Sequence, residues 1–454
     1  MRGKYLKYVV SSVMILSGMQ GGGILKSVFA QESAQTRTIS DGERDGLQWQ
    51  LKQMEEALQR QQEQIQALKS QIEAVPARED VKSEVKKEVD NYMASDDARK
   101  KMMVGMPSFV TSEYTPDDEK YALGLKSNDA KYSLNIGGRM QFRYTFEDND
   151  EDFNRSDKQD LTLRRARVYM GGNIYSKEFH YYVEADCDSF TFGMRDFYVY
   201  WTPIHELNAK LGYFKVPFNR QRLASSSKLL LQDRSVASEE FDQDRDYGFD
   251  VYGKPFDGHI EYHAAVFQGA GEKSIKGNTD NELMYVLSAR YNPFGKYDYY
   301  DETDVKHSDK LMATIGASVV FNAKDKDVKL ANTNTIAGVV DLGVKYKGLS
   351  WNNEYYVRTE DPEDTGSSKD SDGFYTQAGY FVLPKKLELA ARYSMLDPDN
   401  DASDDIQKEY TMGVNYYFKA HRSKIQTDIG HYVTETAMHD KQEERIRLQY
   451  QIMF

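Results

Sequence analysis

The residues with the clearest chemical potential in this 454-residue chain are basic side chains at every second position of apolar, strand-like segments. The run from Arg164 to Arg167 opens one such segment. Period-2 alternation places Arg165 and Arg167 on the face opposite Ala166 and Val168, and a β-bulge at Arg164 would absorb the extra residue. A row of guanidinium groups on one wall attracts anions. The implied chemistry is therefore anion attraction rather than catalysis.

Twelve cations share this inward position or lie in the long interior loop, and they are the candidates for attracting anions in a pore. They are Arg139, Arg143, Arg165, Arg167, Lys210, Lys215, Lys228, Arg234, Arg290, Arg392, Arg445 and Arg447. Inward acids are nearly as numerous: Glu184, Asp186, Asp188, Asp196, Asp250, Asp341, Glu354, Glu388, Glu409 and Asp428. Two interpretations stay open, an anion-selective lumen and a solvated lumen wall without selectivity.

Motifs for metal binding or catalysis are weak. His259 and His263 are four residues apart, a spacing that binds zinc on a helix, but the intervening Glu261 is not placed as in the metalloprotease motif and the surroundings are strand-like. No phosphate-binding glycine loop or nucleophile elbow occurs. The sequence predicts no enzyme, no metal site and no cofactor.

Long amphipathic strands must position the basic residues. From residue 131 to the C-terminus, apolar residues recur at period 2, with clear runs at 311–321, 336–346, 387–395, 410–418 and 425–433. About sixteen such runs occur, whereas the mean hydropathy of −0.72 is low. A barrel reconciles the two observations, because only every second residue of its strands needs to be apolar. The predicted fold class is all-β, an antiparallel transmembrane β-barrel of about 16 strands preceded by an α-helical coiled coil.

The connections alternate between short turns and long acidic loops, which is typical of outer-membrane barrels. The N-terminal segment enters at the short-turn end and is therefore expected in the periplasm. Residues 218–244 form the longest interior connection. In a wide barrel we expect this loop to fold inward and narrow the pore, the alternative being an ordinary external loop. Residues 297–309 form a long connection where a short turn is expected.

The C-terminal segment alternates up to its last residue. Tyr450, Ile452 and Phe454 lie on one face, and this ending resembles the assembly signal of bacterial outer-membrane proteins. The alternative is an amphipathic edge strand of a soluble domain. The outer-membrane interpretation makes lipid a partner and the bacterial outer membrane the location.

The chain is predicted to contain five segments. They are a signal peptide at 1–30, a linker at 31–46, a coiled coil at 47–75, a helical and linker segment at 76–130, and the barrel at 131–454. The formal charge is −13, and the predicted signal peptide contributes four basic residues and no acids. The mature chain is therefore still more acidic, which argues against a nucleic-acid partner. The single cysteine, Cys187, excludes an intramolecular disulfide.

A seam of residues spaced alternately four and three apart predicts the coiled coil. Its core is Leu47, Leu51, Met54, Leu58, Gln61, Ile65, Leu68, Ile72 and Val75. The seam favours self-association, with a homotrimer as the expected state. The alternative is an intramolecular helix packed on the barrel.

Several short motifs in order resemble the phosphate-selective porin O and P family. They are Leu163-Arg164-Arg165-Ala166-Arg167, Asp196-Phe197-Tyr198-Val199, Gly212-Tyr213-Phe214-Lys215-Val216-Pro217-Phe218, Asp233-Arg234-Ser235 and Arg245-Asp246-Tyr247-Gly248. The resemblance covers residues 131–454. It implies a sixteen-stranded trimeric porin whose third loop enters the pore, with anion conduction dependent on lumen arginines and central lysines.

The predicted function is passive diffusion of small hydrophilic solutes, inorganic or organic, through an outer-membrane porin. An anion preference, including phosphate-like anions, is the finer hypothesis. The alternative is a structural anchor whose periplasmic coiled coil spaces or tethers the membrane against the cell wall. Conductance of the purified barrel distinguishes the two.

We predict that a peptide of residues 45–76 is helical and self-associates, because its apolar seam is continuous. Circular dichroism and sedimentation equilibrium test this, with Leu58→Pro as the control that removes a backbone hydrogen bond and breaks the helix. A monomeric, unfolded peptide at high concentration would contradict the coiled-coil assignment.

Overall fold

The computed structural model describes residues 109–112, 121–149, 157–187, 192–271, 282–323, 333–362 and 367–454, and the helical residues 52, 56, 59, 60, 62–66 and 87. The chain divides into two units, Met1–Val104 and Gly105–Phe454. In the first unit the described residues are helical and exposed, including Ile65, which is 55% exposed. The predicted signal peptide, the first linker and the other eight core residues of the coiled coil lie outside the described residues.

No helix within the described ranges is both long enough and apolar enough to cross a membrane.

The second unit is built from strands. They are β1 (Phe109–Ser112), β2 (Leu123–Ser127), β3 (Ser133–Asn149), β4 (Lys158–Asn173), β5 (Phe179–Asp186), β6 (Gly193–Ile204), β7 (Leu207–Lys215), β8 (Arg245–Gly253), β9 (Ile260–Phe267), β10 (Met284–Tyr291), β11 (Met312–Asn322), β12 (Thr333–Tyr346), β13 (Leu349–Pro362), β14 (Lys369–Leu383), β15 (Leu387–Asp397), β16 (Gln407–Lys419), β17 (Ser423–Thr434) and β18 (Lys441–Met453). Between β7 and β8 lie two short helices, α1 (Arg220–Leu223) and α2 (Val236–Phe241). A 3-10 turn (Phe256–Gly258) precedes β9.

Strands β3 to β18 form a closed antiparallel barrel. Each pairs with the next in sequence, and β18 pairs back with β3 through registers such as Gln451 with Gln141. The prediction of about sixteen barrel strands is therefore confirmed. Outside the closed ring, β2 pairs with the first residues of β3, and β1 pairs with β2.

Alternation along the strands separates two surfaces, as the sequence predicts. On β3, Met140, Phe142 and Tyr144 are exposed, whereas Arg139 and Arg143 are buried inside the barrel. An arginine or lysine on the lipid face of such a barrel costs about 2–4 kcal/mol at the bilayer midplane. The predicted bulge is also present, because the β3–β4 register skips Arg164.

The connections alternate in length around the barrel. One end carries short turns, including residues 205–206, 347–348 and 384–386, and the other end carries the longer loops. The residues Thr202-Pro203-Ile204, whose sequence suggests a short turn, instead belong to β6, which continues through an irregularity to Ile204. The two exceptional connections are residues 216–244, here called the lumen loop, and residues 292–311 at the short-turn end, here called the turn insert.

The C-terminal residue completes the β18–β3 seam. The backbone N–H of Phe454 donates to the Gly138 carbonyl at 3.0 Å, and the Gly138 N–H donates to the Phe454 carbonyl at 2.6 Å. The Phe454 ring is 46% exposed on the same outer face as Tyr450 and Ile452. A Cβ on residue 138 would lie only 2.6 Å from this ring, so a glycine is required for the close approach.

Deleting Phe454 is expected to lower the yield of folded barrel, since it removes an outer-face aromatic and two backbone hydrogen bonds at the closing seam. The fraction of heat-resistant barrel in the outer membrane measures this. Phe454→Tyr, which keeps an aromatic ring, should behave as wild type. Normal barrel levels after the deletion would contradict the predicted assembly role.

Candidate functional site

The lumen loop folds into the barrel because carboxylates of the wall accept its backbone N–H groups. At the start of α1, the N–H groups of Arg220 and Gln221 donate to the two oxygens of Glu354 at 2.6 and 2.9 Å. The N–H of Val236, the first residue of α2, donates to Glu409 at 3.0 Å. Buried backbone groups without partners are costly, and these bonds allow the loop to leave bulk water.

Apolar packing holds the same loop. Leu230 and Leu231 are completely buried, and Phe241 joins an apolar cluster with inward residues of the wall. Inward-facing glycines make room for them. A Cβ at Gly379 would lie 2.5 Å from Leu230, and one at Gly413 would lie 2.7 Å from Leu231. The barrel wall on this side therefore leaves space for the packed side chains of the lumen loop.

The turn insert fills the lumen from the opposite end, which the sequence did not reveal. Its residues Asp301 to Val305 are all buried, whereas an ordinary barrel turn is exposed. The carboxylate of Glu302 accepts from Gln221 Nε2 at 3.0 Å and from the Leu230 N–H at 2.8 Å. Glu302 therefore joins the turn insert to the lumen loop.

The turn insert is also fixed to the barrel wall. His421 Nε2 donates to Asp301 at 3.0 Å, and Lys345 Nζ donates to the Asp301 carbonyl at 2.6 Å. Although burial alone would raise it, the neighbouring His421 and Lys345 hold the pKa of the Asp301 carboxyl well below its usual range. Asp301 therefore stays ionised in its buried position at neutral pH.

The unfilled side of the lumen is a cavity of about 1190 Å³ bounded by β3 to β9, the lumen loop, the turn insert and the end of β18. Basic residues dominate its lining, which includes twelve Lys or Arg residues and four Asp or Glu residues. The basic residues are Arg139, Arg164, Arg165, Arg167, Arg195, Lys210, Lys215, Arg222, Lys228, Arg234, Arg245 and Lys306. Seven of these belong to the twelve predicted candidates.

The cations along the cavity differ in how far they are neutralised. Arg167 pairs with Glu184 at 2.7 Å and with Asp186 at 3.0 Å. In contrast, Arg139 donates to the hydroxyls of Ser225 and Ser226 on the lumen loop, at 3.2 and 3.0 Å.

Lys215 and Lys228 continue this contrast on either side of α1. Lys215 Nζ donates to three backbone carbonyls after α1, including that of Arg222 at 2.7 Å. Within the described ranges, neither Arg139 nor Lys228 has a carboxylate within ion-pair distance. Like Lys215, these two residues therefore bring positive charge to the cavity without a direct ion pair.

Five predicted candidates do not reach the cavity: Arg143, Arg290, Arg392, Arg445 and Arg447. They instead pair with carboxylates inside the filled half or at its edge. Arg392 pairs with Glu409 at 3.1 Å, and Arg290 pairs with Glu261 at 3.3 Å while its guanidinium lies 3.8 Å from the ring centre of Tyr299.

Five cavity cations were not among the predicted candidates, namely Arg164, Arg195, Arg222, Arg245 and Lys306, and local geometry explains three of them. Period-2 alternation puts Arg195 on the lipid face with Phe197, but a register shift between β5 and β6 turns it inward. Arg245 begins β8 and turns inward to Asp196 at 3.1 Å. Arg222, on α1, donates to Asp244 at 2.9 Å. The motif containing Arg245 was the only sequence signal that could have directed attention to it.

The inward acids are distributed unevenly between the filled part of the lumen and the cavity. Glu354, Glu409 and Asp428 accept N–H groups of the lumen loop, and Glu388 accepts from Asn415 and Tyr417. None of these four lines the cavity, whose acidic lining residues within the described ranges are Glu184, Asp186, Asp196 and Glu239. Asp188 lies outside the described residues.

On the loop, burial raises the pKa of Asp242 to about 6, although Arg222 lies 3.3 Å away. The loop therefore loses one negative charge as the pH falls through about 6, and the cavity becomes more positive.

A sixteen-stranded barrel with a polar, partly filled lumen and an apolar outer surface defines an outer-membrane porin. The sequence model of one family, described as phosphate-selective porin O and P, matches residues 134–454. The chain belongs to this family, and it is a channel rather than an enzyme, as the sequence predicts.

The chain is similar to Porin O of Pseudomonas aeruginosa, with 27% identity over 318 residues that cover 62% of this chain and 72% of that protein. It is also similar to an uncharacterized protein of Aquifex aeolicus, with 24% identity over 360 residues that cover 69% and 84% of the two chains.

Two solved structures share the fold at 13% identity and a TM-score of 0.52. They are an anion-selective porin from Comamonas acidovorans, with coverage of 71% of this chain and 99% of that chain, and the channel DcaP of Acinetobacter baumannii, with coverage of 72% and 99%.

Replacing Glu302 by Ala is expected to loosen the lumen loop and increase the open-channel current noise. The reason is that two buried donors lose their acceptor, each at a cost of about 1–3 kcal/mol. Single-channel recording measures the effect. Glu206→Ala removes the same charge from an exposed short turn and is the matched control. Equal noise in the two variants would show that the turn insert does not support the loop.

Proposed function

We propose that this porin favours anions, and that the cavity between β3–β9 and the lumen loop is the permeation path. The excess of basic over acidic residues in the cavity lining is the observation that supports this most directly. The mature chain is acidic overall, but salt screens charges beyond about 8–10 Å. The side chains nearest the ion path therefore govern permeation more than distant acids do.

Arg139, Lys228 and the serines between them form the most favourable part of this path for an anion. Arg139 bonds to Ser225 and Ser226, and the Ser225 and Ser227 hydroxyls are 2.9 Å apart. Hydroxyls and cationic N–H groups can replace part of an anion's hydration shell. The solutes proposed are small inorganic anions, phosphate included, and small organic anions.

The assembly proposed is a homotrimer with the coiled coil in the periplasm. The seam from Leu47 to Val75 and the entry of the chain at the short-turn end support this arrangement. The structural-anchor alternative, with a cell-wall partner, requires only that the barrel hold the helices at the membrane. A conducting barrel would favour the porin role.

Lys228→Gln is expected to shift the reversal potential towards cations, because it removes an uncompensated charge from the cavity. Purified protein is measured in a tenfold salt gradient, where ideal anion selectivity corresponds to about 59 mV for a monovalent ion. Lys177→Gln, on an exposed turn, makes the same charge change away from the cavity and should leave the potential unchanged.

A wild-type potential of cationic sign would reject the anion preference. Equal potentials for wild type and Lys228→Gln would instead remove Lys228 from the permeation path.

A further inference from the structure

One loop carboxylate lies among four guanidinium groups of the barrel wall. Asp233 contacts Arg143 at 2.6 Å, Arg447 at 2.7 Å, Arg165 at 3.6 Å and Arg164 at 3.7 Å. We call these four arginines the arginine cage. Planar guanidinium groups converging on one carboxylate provide the donor geometry of an oxyanion site.

The arginine cage retains positive charge after its internal pairing. Besides Asp233, the only carboxylate that contacts it among the described residues is Asp428, which pairs with Arg447 at 2.6 Å. Neutral groups also contact it: Gln449 and the Gln232 carbonyl accept from Arg143, and Gln141 accepts from Arg165. Four guanidinium groups thus face two carboxylates.

Lumen water reaches one side of the arginine cage. The Asp233 side chain is 26% exposed and that of Arg164 is 42% exposed, whereas those of Arg143 and Arg447 are buried. Arg164 and Arg165 also line the cavity, and both stand beyond hydrogen-bond distance from Asp233. Arg165 also donates to Gln141, whereas the exposed N–H groups of Arg164 remain able to receive another oxyanion.

The loop does not depend on the Asp233 side chain to stay in place. The Gln232 N–H donates to Asp428 at 3.2 Å, and the Gln232 carbonyl accepts from Arg143 at 3.1 Å. The Asp233 carbonyl accepts from Arg392 at 3.0 Å. The carboxylate can leave its partners while the backbone remains anchored.

We propose that Asp233 is a resident ligand of the arginine cage, with which permeating oxyanions compete for the same guanidinium groups. This proposal rests on the proposed anion pathway for its physiological role, whereas binding at the arginine cage is a separate property of the protein. Free phosphate and the phosphate group of an organic ester share the required chemistry.

The first experiment measures thermal unfolding of the full-length protein in detergent, in sodium phosphate and in sodium chloride of equal ionic strength. Asp233→Asn vacates the resident anion and should be stabilised by phosphate relative to chloride more than wild type is. Glu239→Gln is the matched control, since it removes one charge from the same loop beside Arg234. An equal phosphate effect in Asp233→Asn and Glu239→Gln would overturn the proposal.

The second experiment titrates phosphate against the chloride current in planar bilayers. Asp233→Asn should need about tenfold less phosphate for half-block, a factor that corresponds to about 1.4 kcal/mol. Arg164→Gln changes an exposed residue, and it tests the proposal even if Asp233→Asn does not fold. Arg164→Gln should weaken the block relative to wild type, and an unchanged block would overturn the proposal. A cation-selective wild type would reject the permeation role, yet the unfolding data would still decide binding.

Phenylglyoxal modification of the intact protein compares free phosphate with an organic phosphate ester as the ligand of the arginine cage. Free phosphate and glucose 6-phosphate should both protect the arginines in Asp233→Asn if the shared phosphate group is the ligand. Protection by neither would count against the arginine cage as an oxyanion site.

Discussion

Much of this structure depends on the pairing of wall carboxylates with backbone N–H groups of the lumen loop. Glu354 receives the N-terminus of α1, Glu409 receives that of α2, and Asp428 receives the intervening segment. A buried carboxylate and a buried N–H are each costly alone, and each satisfies the other here. The loop can therefore abandon bulk water, and the strands beneath it gain a packed interior instead of an open lumen.

The same pairing separates charge across the barrel. Several inward acids of the wall accept hydrogen bonds from the lumen loop instead of lining the cavity. Glu302 of the turn insert likewise accepts from Gln221 and Leu230. The opposite wall keeps basic residues with fewer carboxylates around them. The net charge of the chain is consequently a poor guide to the charge around the cavity, because the positions of the charged residues matter more than their sum.

Periodicity carried the fold prediction far, because every strand repeats the same two-face constraint. It placed Arg139 and Arg143 inside, and the crowded arginines after Leu163 indicated the bulge that the structure contains. Periodicity could not predict Arg195, since a register shift depends on pairing with another strand.

Tertiary contacts also decided what the unusual connections do. The length of residues 297–309 marked this segment as exceptional, but its inward path depends on partners such as His421 and Lys345, more than 30 residues away in the chain. The sequence likewise could not distinguish Arg392, which lies against Glu409, from cations that line the cavity. Whether a side chain faces inward depends on the local strand alternation. Whether it lines the cavity depends on which segments fill the rest of the lumen.

This distinction explains how one barrel can accommodate different selectivities. The closed register and outer apolar face require regular strands, and these tolerate few charges on the lipid side. The cavity lining combines loop residues such as Ser225 to Lys228 with wall residues such as Arg139, which contacts Ser225 and Ser226. Wall carboxylates, the turn insert and the space left by wall glycines fix the side of the loop that faces away from the cavity. The loop residues that face the cavity can therefore change without loss of those contacts. The residues of the apolar outer face are therefore largely separate from those that line the cavity, and the arginines that contact both wall and loop connect the two sets.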